Sequence, residues 1–216
     1  MLSVCCISDP HGLHRRIDMP IWADIIICAG DITMTGEISV IEDFLEWFDS
    51  LPYTHKVFIA GNHDLTFQSR WEQVEDLLKQ YPNIIYLQDS GCKLLGLKIW
   101  GSPYTPWFGN WAFMEPDWML RPRWDMIPND TDILITHGPA KYILDKTLRG
   151  KDAGSEELRS RIARLSKLKL HVFGHIHEDH GYLKYSKEDT IYVNASVVDL
   201  SYKIANKPVL VHINNE

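Results

Sequence analysis

Residues 25–31 read Ile25-Ile26-Ile27-Cys28-Ala29-Gly30-Asp31: five apolar side chains in a row, a glycine, then a carboxylate. An unbroken rather than alternating apolar run predicts a strand buried on both faces, which needs covering layers on each side. Four other stretches repeat the plan. Ser3-Val4-Cys5-Cys6-Ile7 leads to Asp9 and His11, and Val57-Phe58-Ile59-Ala60 leads through Gly61 to Asn62, His63 and Asp64. Ile133-Leu134-Ile135-Thr136 runs straight into His137, and Leu170-His171-Val172-Phe173 passes through Gly174 to His175 and His177. In open α/β sheets, ligands sit beyond the carboxyl ends of strands. All five runs carry their polar, metal-competent residues at that end.

Helical patterns separate several of these strands. Ser39 with Glu42, and Ser69 with Glu72, have capping-box spacing, followed by apolar stripes at Ile41, Leu45 and Phe48 and at Val74, Leu77 and Tyr81. Ser155 before Glu156 and Glu157 opens a third helix with the stripe Leu158, Ile162 and Leu165. Alternation of strand and helix implies a central sheet with helices packed outside it. Residues 84–87, 93–100, 182–185, 190–194 and 209–213 read as strands joined by short turns. They suggest a second, more antiparallel sheet, giving a layered α/β sandwich.

The 216 residues suit one domain spanning 1–216, with no internal repeat or long linker. Hydrophobic residues make up 45% of the chain, enough for a sizeable core. Net charge is -7, which disfavours a dedicated nucleic-acid binder, whose affinity comes from neutralising phosphates. No apolar run approaches the ~20 residues that cross a bilayer. The start, MLSVCCISD, has no basic segment or cleavage site, so a cytoplasmic protein is expected. Cys5, Cys6, Cys28 and Cys92 show no CxxC spacing, and the first three lie in apolar runs where a thiol acts as a small hydrophobe.

Singly, the polar motifs are ordinary: an Asp after a strand is often a helix cap, and Asn-His-Asp is common turn chemistry. Their joint occurrence, in order and each at a strand end, is not. The series SDPHG, GD, GNHD, THG and GHIH resembles the calcineurin-like metallophosphoesterases across residues 9 to 177. GSPYTPWFGNWAF (101–113), LDKT (144–147), GHIHE (174–178) and NAS (194–196) are similar to the small metallophosphoesterase-domain-containing phosphodiesterases. The resemblance implies a four-layer αββα sandwich, two mixed sheets flanked by helices. It also implies two divalent metal ions. Asp9, His11, Asp31 and His177 would hold one and Asp31, Asn62, His137 and His175 the other, with Asp31 bridging.

Two cations about 3.5–4 Å apart can pin a shared hydroxide and both sides of an in-line phosphoryl displacement. Imidazole, carboxylate and amide donors without thiolate favour Mn²⁺, with Fe or Zn²⁺ as alternatives, over Ca²⁺ or Mg²⁺. The expected substrate is a small phosphodiester, cyclic nucleotides among the candidates, with no membrane partner. A phosphomonoesterase or protein phosphatase is the alternative, but GDITMTGE lacks the arginine of the phosphatases' GDxVDRG. A metal-bound nucleotide scaffold without turnover is the third reading. His63 is the expected proton donor to the leaving oxygen, with Asp64 fixing its tautomer. The aromatic stretch Pro103–Trp111 can wall the site or simply pack a loop, and Arg121, Arg123 and Arg149 are candidate phosphate contacts. Asp179-His180 stands where the resemblance has Gly-Tyr.

Overall fold

The computed structural model describes residues 1–186 and 189–214. Along the chain run β1 (Leu2–Ile7), β2 (Ile25–Cys28), α1 (Ile38–Ser50), β3 (His55–Phe58), α2 (Leu65–Ser69), α3 (Trp71–Leu78), β4 (Ile84–Tyr86), β5 (Ser90–Leu94) and β6 (Leu97–Ser102). There follow β7 (Thr105–Pro106), β8 (Met114–Glu115), α4 (Asp117–Asp125), β9 (Ile133–Thr136), α5 (Glu156–Ile162), β10 (Leu170–Phe173), β11 (Gly181–Lys184), β12 (Ile191–Asn194) and β13 (Val209–Ile213).

The first sheet has the order β13-β1-β2-β3-β4 and the second β11-β12-β10-β9-β6-β5. Both are mixed. In the first, β1, β2, β3 and β4 are parallel and β13 lies antiparallel on β1. In the second, β12, β10, β9 and β6 are parallel and β11 and β5 close the edges antiparallel. The period-2 alternation of strand side chains divides the apolar runs between two cores. Val4, Cys6, Ile25, Ile27 and Val57 meet Ile133, Ile135, Leu170, Val172 and Val193 between the sheets. Cys5, Ile26, Phe58, Leu134 and Phe173 face outward, toward helical residues such as Phe44, Phe48, Trp124 and Leu158. Each fully buried Phe, Leu or Ile contributes about 1.5–3 kcal/mol, which favours apolar residues along most of each strand.

Three expectations are corrected. The ligand-bearing strands are not one sheet: β1, β2 and β3 belong to the first, β9 and β10 to the second. Conversely, β4 and β13, expected in the antiparallel sheet, extend the first. Hydrophobic runs report burial on two faces, not which neighbour supplies the hydrogen bonds. The helix starts also move. Residue Glu37 precedes α1 and Arg70 precedes α3, neither making a side-chain cap, and Ser69 Oγ instead bonds back to Leu65 O at 2.9 Å. Ser155 does cap α5, accepting from Leu158 N at 2.9 Å. No helix among the described residues is long and apolar enough to cross a membrane.

Candidate metal centre

The carboxyl ends of β1, β2, β3, β9 and β10 converge, and the loops leaving them carry the polar residues. Those loops bend hard. Asp9 (φ 55°), His11 (φ 43°), Asp31 (φ 53°) and His175 (φ 69°) all sit in the left-handed region. Non-glycine residues rarely adopt it, and each instance costs about 1–3 kcal/mol unless its surroundings impose it. Two glycines make the convergence feasible. A Cβ on Gly61 would lie 2.3 Å from Asp31 Oδ1, and one on Gly174 would lie 2.1 Å from Asp9 Oδ2. The glycines in GNHD and GHIH are there because carboxylates occupy the space of a side chain.

The imidazoles are oriented from behind by backbone carbonyls. His11 Nδ1 bonds Thr33 O at 3.1 Å, His137 Nδ1 bonds Ala29 O at 2.9 Å, and His177 Nδ1 bonds Asp199 O at 3.3 Å. A carbonyl only accepts, so each Nδ1 carries a proton, and in the neutral ring each Nε2 presents a lone pair to the interior. These lone pairs face other acceptors. His11 Nε2 and His177 Nε2 are 3.4 Å apart. His137 Nε2 lies 2.9 Å from Asn62 Oδ1 and 3.3 Å from Asp31 Oδ2. His177 Nε2 lies 3.6 Å from Asp9 Oδ1. Acceptors turned on acceptors are repulsive unless positive charge lies among them, and divalent cations fit this donor set.

Three groups have ligand atoms mutually within 4.8 Å: Asp9 with His11 and His177; Asp31 with His137 and His175; and His11 with Asp31 and His63. The first two fall within the two ligand sets expected from sequence. Asp31 has divided duties. Its Oδ1 accepts from His63 N at 2.7 Å, while Oδ2 faces His137 at 3.3 Å and His11 at 3.8 Å. Asp31 Oδ2 is thus the oxygen of this carboxylate turned toward both groups of candidate ligands. Asn62 Nδ2 is buried without a partner among the described residues, where this amide is engaged through its oxygen.

Burial lowers His11 to about 4 and His175 to about 3, keeping both neutral. Burial acts the same way on His137, but Asp31 overrides it and raises His137 to about 9. Positive charge is thus stabilised where His137 Nε2, Asn62 and Asp31 meet. Burial disfavours the charged forms of Asp9 and Asp31, yet the adjacent His177 and His137 hold both carboxyls below their ordinary range.

The expected Asp64–His63 contact is not formed. Gly61 N, Ile32 N, Thr33 N and Thr33 Oγ1 all donate to the Asp64 carboxylate, at 2.8, 3.2, 2.9 and 2.8 Å. Asp64 thereby ties the GD loop to the GNHD loop. His63 Nδ1 instead bonds Met34 O at 2.7 Å, leaving Nε2 for a substrate. Adjacent residues in a tight turn point apart, so sequence neighbours are poor guides to side-chain partners.

The aromatic stretch does reach the site. Ala112 N bonds Asn62 O at 3.0 Å, and Trp111 stacks on His63 with centroids 4.1 Å apart. Phe108 lies 5.2 Å from His175. Arg123 is engaged elsewhere: it pairs with Asp89 and Glu115 and lies 3.4 Å over the Tyr104 ring. It braces the aromatic loop. Glu178 and Asp179 accept from Leu148 N and Lys146 N at 2.8 and 2.7 Å, anchoring the LDKT segment beside the centre. Asn194 of NAS donates to Ile176 O at 2.8 Å and so steadies the His175–His177 turn. Sequence reasoning missed Tyr202, whose ring lies 4.9 Å from His11 and 5.5 Å from His177. No motif surrounds it, and its placement depends on backbone geometry, with φ at 54°.

Comparison with known proteins agrees with this geometry. The calcineurin-like phosphoesterase family profile matches residues 2–179. The chain is 40% identical over 232 residues to metallophosphoesterase domain-containing protein 1 of Homo sapiens, covering 96% of this chain and 70% of that protein. A UPF0046 protein of Caenorhabditis elegans is 32% identical over 98% of this chain and 75% of its own length. The crystal structure of TT1561 of Thermus thermophilus shares the fold, with TM-score 0.66 at 15% identity over 89% of this chain and 88% of that one. The chain belongs to the calcineurin-like phosphoesterase family, metal-dependent hydrolases of phosphoesters.

Proposed function

We propose that this chain is a phosphodiesterase working with two divalent metal ions, one held by Asp9, His11, Asp31 and His177 and the other by Asp31, Asn62, His137 and His175. The observation that carries the reading is the set of carbonyl-fixed imidazoles whose Nε2 lone pairs face one another and the carboxylates. Mn²⁺, with Fe or Zn²⁺ as alternatives, suits imidazole, carboxylate and amide donors. When bound, such ions supply Lewis-acid polarisation of phosphoryl oxygens and a nucleophile at neutral pH.

The chain's own residues do the rest. Asp31 Oδ2 brings negative charge between the two sets, and neutral Asn62 leaves surplus positive charge for an anionic ester. His63, with Nδ1 held by Met34 O and one face covered by Trp111, protonates the departing oxygen through Nε2. Met34 therefore has the orienting role expected of Asp64. His63→Ala should keep its metal content and lose about 10²–10⁴-fold in turnover of esters with poor leaving groups. Unchanged turnover of such esters would remove His63 from the mechanism.

A small diester, a nucleotide among the candidates, is preferred over a phosphoprotein. Thr35 stands where the phosphatases' GDxVDRG has its phosphate-gripping arginine, and Arg123 is committed to Asp89 and Glu115. The test is a Mn²⁺ assay panel of bis-p-nitrophenyl phosphate, p-nitrophenyl phosphate, and 2′,3′- and 3′,5′-cyclic nucleotides. Diester turnover well above monoester turnover is expected, and the reverse order would favour a phosphomonoesterase.

A further inference from the structure

We infer that Tyr202 is a specificity-determining residue, which together with Trp111 selects diesters whose leaving group is a flat, apolar ring; this rests on the phosphodiesterase reading above. Tyr202 stands nearly perpendicular to two imidazoles and steeply inclined to a third. Its interplanar angles are 84° to His11, 88° to His177 and 63° to His63, the last at a centroid distance of 6.1 Å. The ring is 38% exposed, so it is in contact with the site and also open to solvent. Its hydroxyl has no hydrogen-bond partner among the described residues, so the ring itself is the feature offered.

Tyr202 is held there by a built turn. Asp199 Oδ1 accepts from Ser201 N at 2.8 Å and Lys203 N at 3.1 Å, and Asp199 O accepts from Tyr202 N at 2.9 Å. The same carbonyl accepts from His177 Nδ1 at 3.3 Å. One residue thus orients a candidate metal ligand from behind and sets the aromatic beside it. Trp111 is placed with similar care, since the next residue, Ala112, is hydrogen-bonded to Asn62 O.

The departing oxygen must lie at His63 to be protonated, so the group attached to it leaves past the rings that touch His63. Those are Trp111, over its face at 4.1 Å, the candidate ligand His11, edge-on at 4.7 Å, and Tyr202, standing across it at 6.1 Å. The Asp31 carboxylate meets His63 at the backbone, Oδ1 accepting from His63 N at 2.7 Å, while Oδ2 faces His137 and His11. The aromatic walls of Trp111 and Tyr202 favour a planar apolar group, through offset stacking and edge contacts.

The experiment follows two methyl phosphate diesters by phosphorus NMR with the Mn²⁺-loaded protein, one a phenyl ester and one a trifluoroethyl ester. Tyr202→Leu should lower kcat/KM for the phenyl ester by about tenfold, mainly through KM, and for the trifluoroethyl ester by less than about twofold. Tyr202→Phe keeps the ring and should retain the preference for the phenyl ester over the trifluoroethyl ester that Tyr202→Leu loses. Metal content measured on each variant separates loss of the centre from loss of the wall. Equal losses on both esters with metal retained, or no loss on either, would overturn the assignment of Tyr202 alone. A metal-loaded wild type that turned over neither ester would sink the diesterase reading and this inference with it.

Discussion

A methyl group added at Gly174 would press within 2.1 Å of the Asp9 carboxylate, in a loop where His175 N already donates to both Asp9 oxygens at 3.1 Å. Gly174→Ala is therefore expected to displace Asp9, halve metal content and lower activity at least about 100-fold while the far-ultraviolet spectrum stays native. Full metal loading in that variant would show that the close approach is not needed. Single residues also mark the limit of what the sequence discloses. That Asp9, His11, Asp31, Asn62, His137, His175 and His177 gather at one rim was legible because each lies within four residues of the end of an apolar strand. Met34 was not, since it acts through its carbonyl, which every residue has. Tyr202 was not, since its turn lies 25 residues beyond His177 and is defined by backbone geometry. Asp64 was read as the partner of His63 from adjacency, whereas four donors from the neighbouring loops take up its carboxylate.

Among the elements, the short β7–β8 pair and α4 act together as a brace. Thr105 and Met114 are paired in register, enclosing the segment that carries Phe108 and Trp111. Arg123 of α4 ties Glu115 of β8 to Asp89, which in turn accepts from Ser102 at the end of β6. Removing the guanidinium leaves two carboxylates without their cation. Arg123→Ala should cost about 2 kcal/mol by urea unfolding and loosen Trp111 from His63, read as a change in tryptophan fluorescence. A stability change under about 0.5 kcal/mol would mean the network is only a surface feature. The strand positions themselves were clear from sequence; their distribution between two sheets was not. Residues 84–87 and 209–213 carry a pattern that fits either sheet, and only register along β3 and β1 decides between them.

For the whole molecule, the two sheets bring residues from opposite halves of the chain to one rim, and the burial that this packing imposes governs acid stability. His171, inside β10 and fully buried, is pushed down to about 3 by burial from an ordinary 6.5. Its Nε2 meets Thr136 Oγ1 at 2.8 Å, and its Nδ1 has no partner, which suits a neutral ring. The unfolded chain therefore binds the extra proton first, so stability is full above pH 6.5 and falls as pH drops toward 3. One such group contributes a slope of roughly 1.4 kcal/mol per pH unit in that window. Chemical denaturation of wild type and His171→Leu at pH 7 and pH 5 should show a shallower loss in the variant; equal losses would place the acid sensitivity elsewhere. In the proposed two-metal centre both ions depend on Asp31, whose Oδ2 faces His11 on one side and His137 on the other. Metal analysis of Mn²⁺-reconstituted wild type and Asp31→Asn reads that dependence out. Two ions per chain in the wild type and near-total loss of both in the variant are expected, whereas loss of one ion alone, or a wild type that binds only one, would contradict it.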